Sequence, residues 1–459
     1  MCFKGKGSCY FEIASLQFLI LFTCLNSPLV FAENTKLIKA DSVSLITTTE
    51  ISDVDEVLLK KRLDDVYTMY EKGNSSGVIE DGVPLLKVFP NETRLRFALA
   101  NSLVWSTPRF EEAIALYKTL LTSEYAKESK LGLANAYRWT SRDDLAMPYY
   151  RELIAANPED ENVNEGYKLS TMAMRAMTTY SFGTSSDSNT MQRNEASVSH
   201  KFRNEKGEFF EVSIRGIRDT TPSLVDTNGN SQETIANQRS MTFRYQNINL
   251  PLSPTFELTA QTKDNSNAFG GVELQINKST KLVLNRINWG VLSFNANAAA
   301  ANLSAGHAAL ESSYVGRLGS VSGRVDYFAI SDGNHVTSSY FQASPSFSIG
   351  KNIKPFIGIQ TRDQAQYSPV YWSPMEGYGV YFGGLRTEWT NNVTTLSISA
   401  QYGMKLYGDG ARNYSVFTKA RTKVTDDFAA SITAAYSAGG AYGPEYTYSS
   451  IMGTIEQLW

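Results

Sequence analysis

The feature that most constrains this chain is a run of alternation near its end. Between Val393 and Tyr407, the residues Leu396, Ile398, Ala400, Tyr402, Met404 and Leu406 fall on one face of an extended strand. Ser397, Ser399, Gln401, Gly403, Lys405 and Tyr407 fall on the other. A period of two is that of a β-strand, whose successive side chains point to opposite faces. The pattern returns from Phe428 to Ala438, where Phe428, Ala430, Ile432, Ala434 and Tyr436 alternate with Ser431, Thr433, Ala435 and Ser437. Turn signals separate such runs, among them Thr227-Asn228-Gly229-Asn230, Ser331-Asp332-Gly333-Asn334, Gly408-Asp409-Gly410 and Thr425-Asp426-Asp427. Sixteen candidate strands fit between about residue 172 and Trp459, or about 18 residues per strand with its turn. Fourteen is the alternative, because residues 296–310 (ANAAAANLSAGHAAL) make a doubtful strand.

Many amphipathic strands, even in number, predict an all-β antiparallel barrel that spans a membrane with an apolar outside and a wet inside. Past residue 32 the sequence holds no apolar run of roughly 20 residues, so membrane-spanning helices are not expected. The last strand ends on an aromatic residue, Trp459. It must pair with the first, since an open sheet edge is not tolerated in lipid. A soluble β-sandwich is the competing reading.

The first residues look removable. Lys4 and Lys6 precede an apolar stretch from Ile13 to Leu25, and Val30-Phe31-Ala32 offers small residues where a signal peptidase reads. The reading is a secretory signal over 1–32, cut after Ala32. Cys2, Cys9 and Cys24 all lie within it, so the processed chain is expected to hold no thiol and no disulfide. Residues 33–50 read as a polar linker. With 43 basic and 46 acidic residues the net charge is −3, which argues against a nucleic-acid partner.

From 51 to 170 the apolar period is helical, and the segment repeats itself. Leu99-Ala100-Asn101 recurs as Leu133-Ala134-Asn135, and Trp105 as Trp139, each about 34 residues on. Ala113 and Tyr117 recur as Ala146 and Tyr150. That spacing is the period of the tetratricopeptide helix–turn–helix. In the best copy, from Lys127 to about Asp160, Leu133, Ala134, Tyr137, Ala146, Tyr150 and Pro158 stand where the repeat wants large, small, aromatic, small, aromatic and proline. Small residues let two helices approach, aromatics fill the gaps, and proline ends the second helix. A weaker copy near 57–90 keeps Tyr67, Tyr70 and Pro90 around a Gly73–Gly77 turn. Three repeats are expected, with Trp105 and Trp139 as packing residues. Their stack offers a face to a periplasmic protein partner.

Three stretches carry a resemblance to a known family. They are LGLANAYRWTSRDDLAMPYYRELIAANPED (131–160), TYSFGTSSDSNTMQRNEASVSHKF (179–202) and VYWSPMEGYGVYFGGL (370–385). With them the chain resembles the tetratricopeptide-plus-barrel outer-membrane proteins of exopolysaccharide secretion. These include the YaiO-type barrels and the export porins for poly-N-acetylglucosamine and cellulose. With about three repeats instead of a long array, it is most similar to the YaiO-type branch. The resemblance implies a periplasmic helical domain (51–170), an outer-membrane barrel (171–459), contact with outer-membrane lipid and a polysaccharide cargo. No cofactor is implied.

Strand parity then proposes the lumen. If Leu396 and Ile398 face lipid, Lys405 faces inward. Lys419 and Arg421 do so from the next strand, and Arg324 and Asp326 beside Val325 and Tyr327. Such charges either pass a hydrated glycan or merely hold the barrel's shape. Tyr371-Trp372-Ser373-Pro374 is a candidate sugar-stacking platform, or a structural aromatic turn. Catalysis finds no local signature: of His200, His307 and His335, none sits in a nucleophile motif, and no metal-ligand spacing or phosphate loop occurs. The expectation is an export barrel with a periplasmic scaffold. The alternatives are a non-transporting anchor and an envelope-modifying enzyme. The sequence does not set the oligomeric state.

Overall fold

A computed structural model describes residues 53–106, 109–221, 233–262, 267–293, 296–316, 318–350, 352–368, 370–371, 376–409, 412–439 and 446–459. The expected leader (1–32), the linker (33–50) and Trp372 lie outside the described residues. The chain divides into two compact units, with the break between Arg109 and Phe110.

The described part of the first unit holds α1 (Asp53–Glu71), α2 (Ser75–Val88) and α3 (Thr93–Ser106). Each packs on the next, and α1 also touches α3. Val66, Val78, Leu85, Leu95 and Leu99 are fully enclosed, with Ala100 beside them. The turn after α1 is shorter than the sequence suggests. Gly73 takes the left-handed conformation (φ 73°), and Asn74 caps α2 by accepting from the Gly77 amide, so Ser75–Gly77 already form its first turn. Trp105 departs from its expected packing role: its side chain is 73% exposed at the end of α3.

The second unit opens with four helices, α4 (Phe110–Thr119), α5 (Ala126–Trp139), α6 (Asp143–Ala156) and α7 (Glu161–Met174). Again each packs on the next, and α5 also touches α7. Tyr117, Leu133, Ala134, Tyr137, Ala146 and Tyr150 are buried between them. Trp139 is only partly covered, tilted against Phe110 at 6.1 Å between ring centres. Pro158 is exposed in the turn after α6, where its carbonyl accepts from the Asn164 amide side chain at 2.6 Å. Two glycines set the close approaches. A Cβ at Gly132 would stand 2.5 Å from the Tyr117 ring, and one at Gly166 would stand 2.6 Å from the Tyr150 ring.

Sixteen strands follow. The first eight are β1 (Met177–Asp187), β2 (Gln192–Arg203), β3 (Glu208–Thr221), β4 (Thr234–Asn247), β5 (Thr255–Thr262), β6 (Asn267–Asn277), β7 (Thr280–Asn288) and β8 (Ser304–Gly316). The second eight are β9 (Gly319–Ile330), β10 (His335–Pro345), β11 (Ile353–Gln364), β12 (Tyr378–Thr390), β13 (Thr394–Gly408), β14 (Asn413–Lys423), β15 (Phe428–Gly439) and β16 (Thr447–Leu458). Each pairs antiparallel with its neighbours in sequence, and β1 pairs with β16 from Met177↔Leu458 to Asp187↔Tyr448, which closes the barrel. The doubtful segment 296–310 resolves into two elements, since Ala296–Ala300 is helical and β8 starts at Ser304. Sixteen therefore stands over fourteen.

The two ends of the barrel differ. At the end that holds the start of β1 and the end of β16, the connections are mostly tight turns, such as Asn204–Gly207 and Val424–Asp427. The opposite end carries the longer connections, among them residues 289–303 and 365–377. Helices α4–α7 meet the tight-turn end. Arg142 reaches Asn249 at 2.8 Å, Arg203 donates to the Ser141 carbonyl at 2.9 Å, and Lys278 pairs with Glu111 at 3.0 Å. Arg175 donates to the Trp459 carbonyl at 2.8 Å and pairs with Asp427.

Candidate functional site

The bore of the barrel is built by strand parity. Tyr180, Val198, Ile214 and Met241 share one register row across β1–β4, and all four are exposed. With Leu258, Ile357, Ile432 and Ile451 they form an apolar outer face. Near the tight-turn end this face carries a ring row: Phe202 stacks on Phe210 at 5.1 Å, and Phe210 meets Tyr245 at 5.1 Å. The neighbours of these residues along each strand point inward.

The inner face has two unlike walls. From β2 to β9 it carries seven basic and seven acidic residues, interleaved. Arg193 grips Asp219 through two hydrogen bonds of 2.7 and 2.9 Å, Arg215 pairs with Glu195, and Arg244 with Glu257 at 2.6 Å. Arg324 and Asp326 lie on this wall in a network. Arg324 contacts Asp326 at 2.8 Å and Glu311 at 3.2 Å, Lys281 meets Glu311 at 3.2 Å, and His307 Nε2 is 2.8 Å from Asp326. His307 also stacks on Phe328 (4.5 Å) and bonds Asn285 (2.7 Å).

From β11 to β14 the inner face carries seven basic residues against one acid, Glu388. Lys405 and Lys419 are here, and Arg421 pairs with Glu456 of β16 at 2.6 Å. Lys354 and Arg386 sit directly opposite each other in the register. Tyr407 departs from its expected place beside Lys405. The pairing slips one residue between Gly379 and Val380, so Tyr407 pairs with Gly379 and Lys405 with Val380. Adjacent residues face opposite ways, and the slip therefore turns Tyr407 outward. There its hydroxyl donates to Asp363 at 2.8 Å.

The β7–β8 connection enters this bore. It holds two short helices, α8 (Trp289–Leu292) and α9 (Ala296–Ala300). Trp289 is 1% exposed and packs on Phe328 of β9, Val336 of β10 and Tyr371. Its ring lies 5.7 Å from the Arg362 guanidinium of β11. At the other end Ala296 and Ala299 pack on Ala236 of β4, and the Ala296 amide donates to the Thr221 hydroxyl of β3 at 3.0 Å. Asn288 ties the connection to Gln261 (2.8 Å) and Gln238 (3.3 Å). Contacts that run from β3–β4 to β9–β11 make residues 289–293 and 296–303 a chord across the bore, with β5–β8 on one side and β12–β16, β1 and β2 on the other.

Tyr371 belongs to this chord. It is buried against Trp289 at 5.5 Å, donates to Asp332 at 3.0 Å and accepts from Asn334 at 2.9 Å. Its face is thus taken by protein and is not presented to a sugar. Trp289, the largest enclosed side chain among the described residues, was not singled out by sequence, because the surrounding Asn-Trp-Gly-Val-Leu reads equally well as strand.

No family model matches the sequence, and no curated protein matches it either. Solved structures resemble the barrel at low identity. A "bacterial polysaccharide outer membrane secretin" aligns with TM-score 0.45 and 10% identity, over 62% of this chain and 99% of that one. Pseudomonas aeruginosa OccK11 aligns with TM-score 0.34 and 8% identity, over 62% and 96%. Pseudomonas putida OprB aligns with TM-score 0.33 and 7% identity, over 66% and 98%.

Proposed function

We propose that this chain is a channel of the bacterial outer membrane that serves export of an exopolysaccharide, with α4–α7 on the periplasmic side. One observation carries the reading: a closed cylinder whose outer face is apolar and exposed while its inner face is charged. In water each exposed Ile, Leu or Phe would forgo roughly 1.5–3 kcal/mol of burial, which lipid supplies. Bacterial barrels keep short turns on the periplasmic side, and the end with tight turns is the one α4–α7 meet. A polar wall suits a hydrated glycan, which needs hydrogen-bonding groups in place of the water it sheds. The helices are read as tetratricopeptide repeats whose exposed faces, Trp105 among them, recruit a periplasmic partner.

The test is fractionation and conductance. The protein should sediment with the outer membrane, need detergent for extraction, and open steps in a planar bilayer. Its loss should lower the secreted glycan in amount or chain length. Recovery in the soluble fraction without detergent would remove the reading. A second reading, an anchor that transports nothing, draws on the chord of residues 289–293 and 296–303 across the bore. A bilayer that stays silent even after that chord is shortened would select it.

A further inference from the structure

We infer that the β11–β14 wall is a track for an anionic glycan, one bearing carboxylate, sulfate or phosphate groups. The inference rests on the channel reading and names the cargo's charge. Its first support is the contrast between the two inner walls. On β2–β9 the acids and bases are equal in number and most of them answer one another at contact distance, so that wall is close to neutral. On β11–β14, Lys354, Arg386, Lys405 and Lys419 make no ion pair among the described residues, and Glu388 is the one acid that shares their face. Lys354 and Arg386 stand directly opposite across β11 and β12, an arrangement that repels in the absence of an anion.

The second support is the chord. By packing from β3–β4 to β9–β11, residues 289–293 and 296–303 divide the bore, and the basic strands β12–β14 all lie on one side of that division. A deacetylated amino-glycan, which is cationic, is repelled by this wall.

The experiment is a planar bilayer with a potassium chloride gradient across it. The wild-type channel should be anion-selective. Added oligogalacturonate should block it at a concentration about tenfold below that of a neutral maltooligosaccharide, the change expected for roughly one charge pair at contact. K354Q/R386Q/K405Q/K419Q should abolish both the selectivity and the preferential block, while the like-charged K405R should keep them. Cation selectivity overturns the inference, as does a reversal potential that the fourfold variant leaves unmoved. Block by inorganic phosphate at the same concentration as the oligomer overturns its glycan part. A channel that never conducts, even with the chord shortened, refutes the export reading instead. In that case, binding of labelled oligogalacturonate to the full chain in detergent decides the inference: loss in the fourfold variant supports it, and no binding to the wild type refutes it.

Discussion

Replacing Trp289 by alanine should unseat the chord. Trp289 is almost fully enclosed, and its ring meets Phe328 at 5.2 Å and Tyr371 at 5.5 Å. Truncating such a residue costs about 3–5 kcal/mol when the site cannot collapse. Collapse is limited here, because Phe328, Val336 and Tyr371 are held by the sheet or by hydrogen bonds to Asp332 and Asn334. The loss falls on the local equilibrium between a seated and a lifted segment, since the ladders of β7 and β8 do not depend on the indole. At 1.4 kcal/mol per tenfold, the lifted fraction rises about 10²- to 10³-fold. A cysteine at Ala296, buried on Ala236 at the far end of the chord, reports it. With Cys2, Cys9 and Cys24 replaced, A296C is the only thiol. Maleimide labelling of A296C should accelerate by that factor in W289A, with larger conductance steps in bilayers. Labelling within threefold of the parent would show that the chord is held from elsewhere. W105A, at an exposed position, should leave the rate unchanged.

Three further outcomes follow from the helices and their docking. Asp143 in α6 is buried, and that burial raises its carboxyl above the usual carboxylate value, against the partial offsets of the Ser170 hydroxyl and the Arg203 charge. The folded form then holds the proton more tightly than the unfolded one, so stability falls as pH rises from about 4 towards neutrality. Asp143→Asn should flatten this dependence and raise helix stability at pH 7 relative to the parent, read from circular dichroism melts in detergent at pH 4 and 7. Gly132→Ala should destabilise the same helices by about 1–3 kcal/mol, because its Cβ would press on the Tyr117 ring; an unchanged melt would contradict the close approach. Arg175→Ala removes the donor to the Trp459 carbonyl and should lower the urea midpoint of the barrel by the equivalent of about 1 kcal/mol, a figure discounted for the exposed Asp427 partner.

The barrel was legible because its rule is local. Period two in Val393–Tyr407 needs no knowledge of partners, and the structure places Leu396 and Ile398 opposite Ser397 and Ser399 through the register with β14. The helical pairs were legible for the same reason, since Leu133, Ala134 and Tyr150 repeat at a fixed step. What failed depends on several strands at once. Parity misplaced Tyr407 because one slip, set by the pairing with Gly379, reverses every face beyond it. It was silent on Trp289, whose burial comes from β9, β10 and the 365–377 connection. Which charges pair is likewise a property of register: Arg193 and Asp219 are 26 residues apart and adjacent only across β2 and β3. One signal was available and overlooked. Gly132 and Gly166 repeat at the helical period, as do the rings that fill their place, and this step fixes how closely α4, α5, α6 and α7 approach.

The docking contacts have an order built into them. Arg175, just before β1, bonds the carbonyl at the end of β16 and the β14–β15 turn, whereas Arg142 and Ser141 bond the turns that follow β2 and β4. Lys278 extends the set to the turn after β6, where it meets Glu111. These partners lie on both sides of the β1–β16 seam, and residues at the far end of the sequence join those at its start only once that seam has paired. Individually, exposed pairs of this kind stabilise by about 0–1 kcal/mol, too little to draw the seam together. Only the contacts of Arg175 depend on the eleven register pairs of β1 and β16, which bring Trp459 and Asp427 beside it. Residues Arg142, Ser141 and Glu111, by contrast, meet turns that lie entirely on the β2–β7 side of the seam.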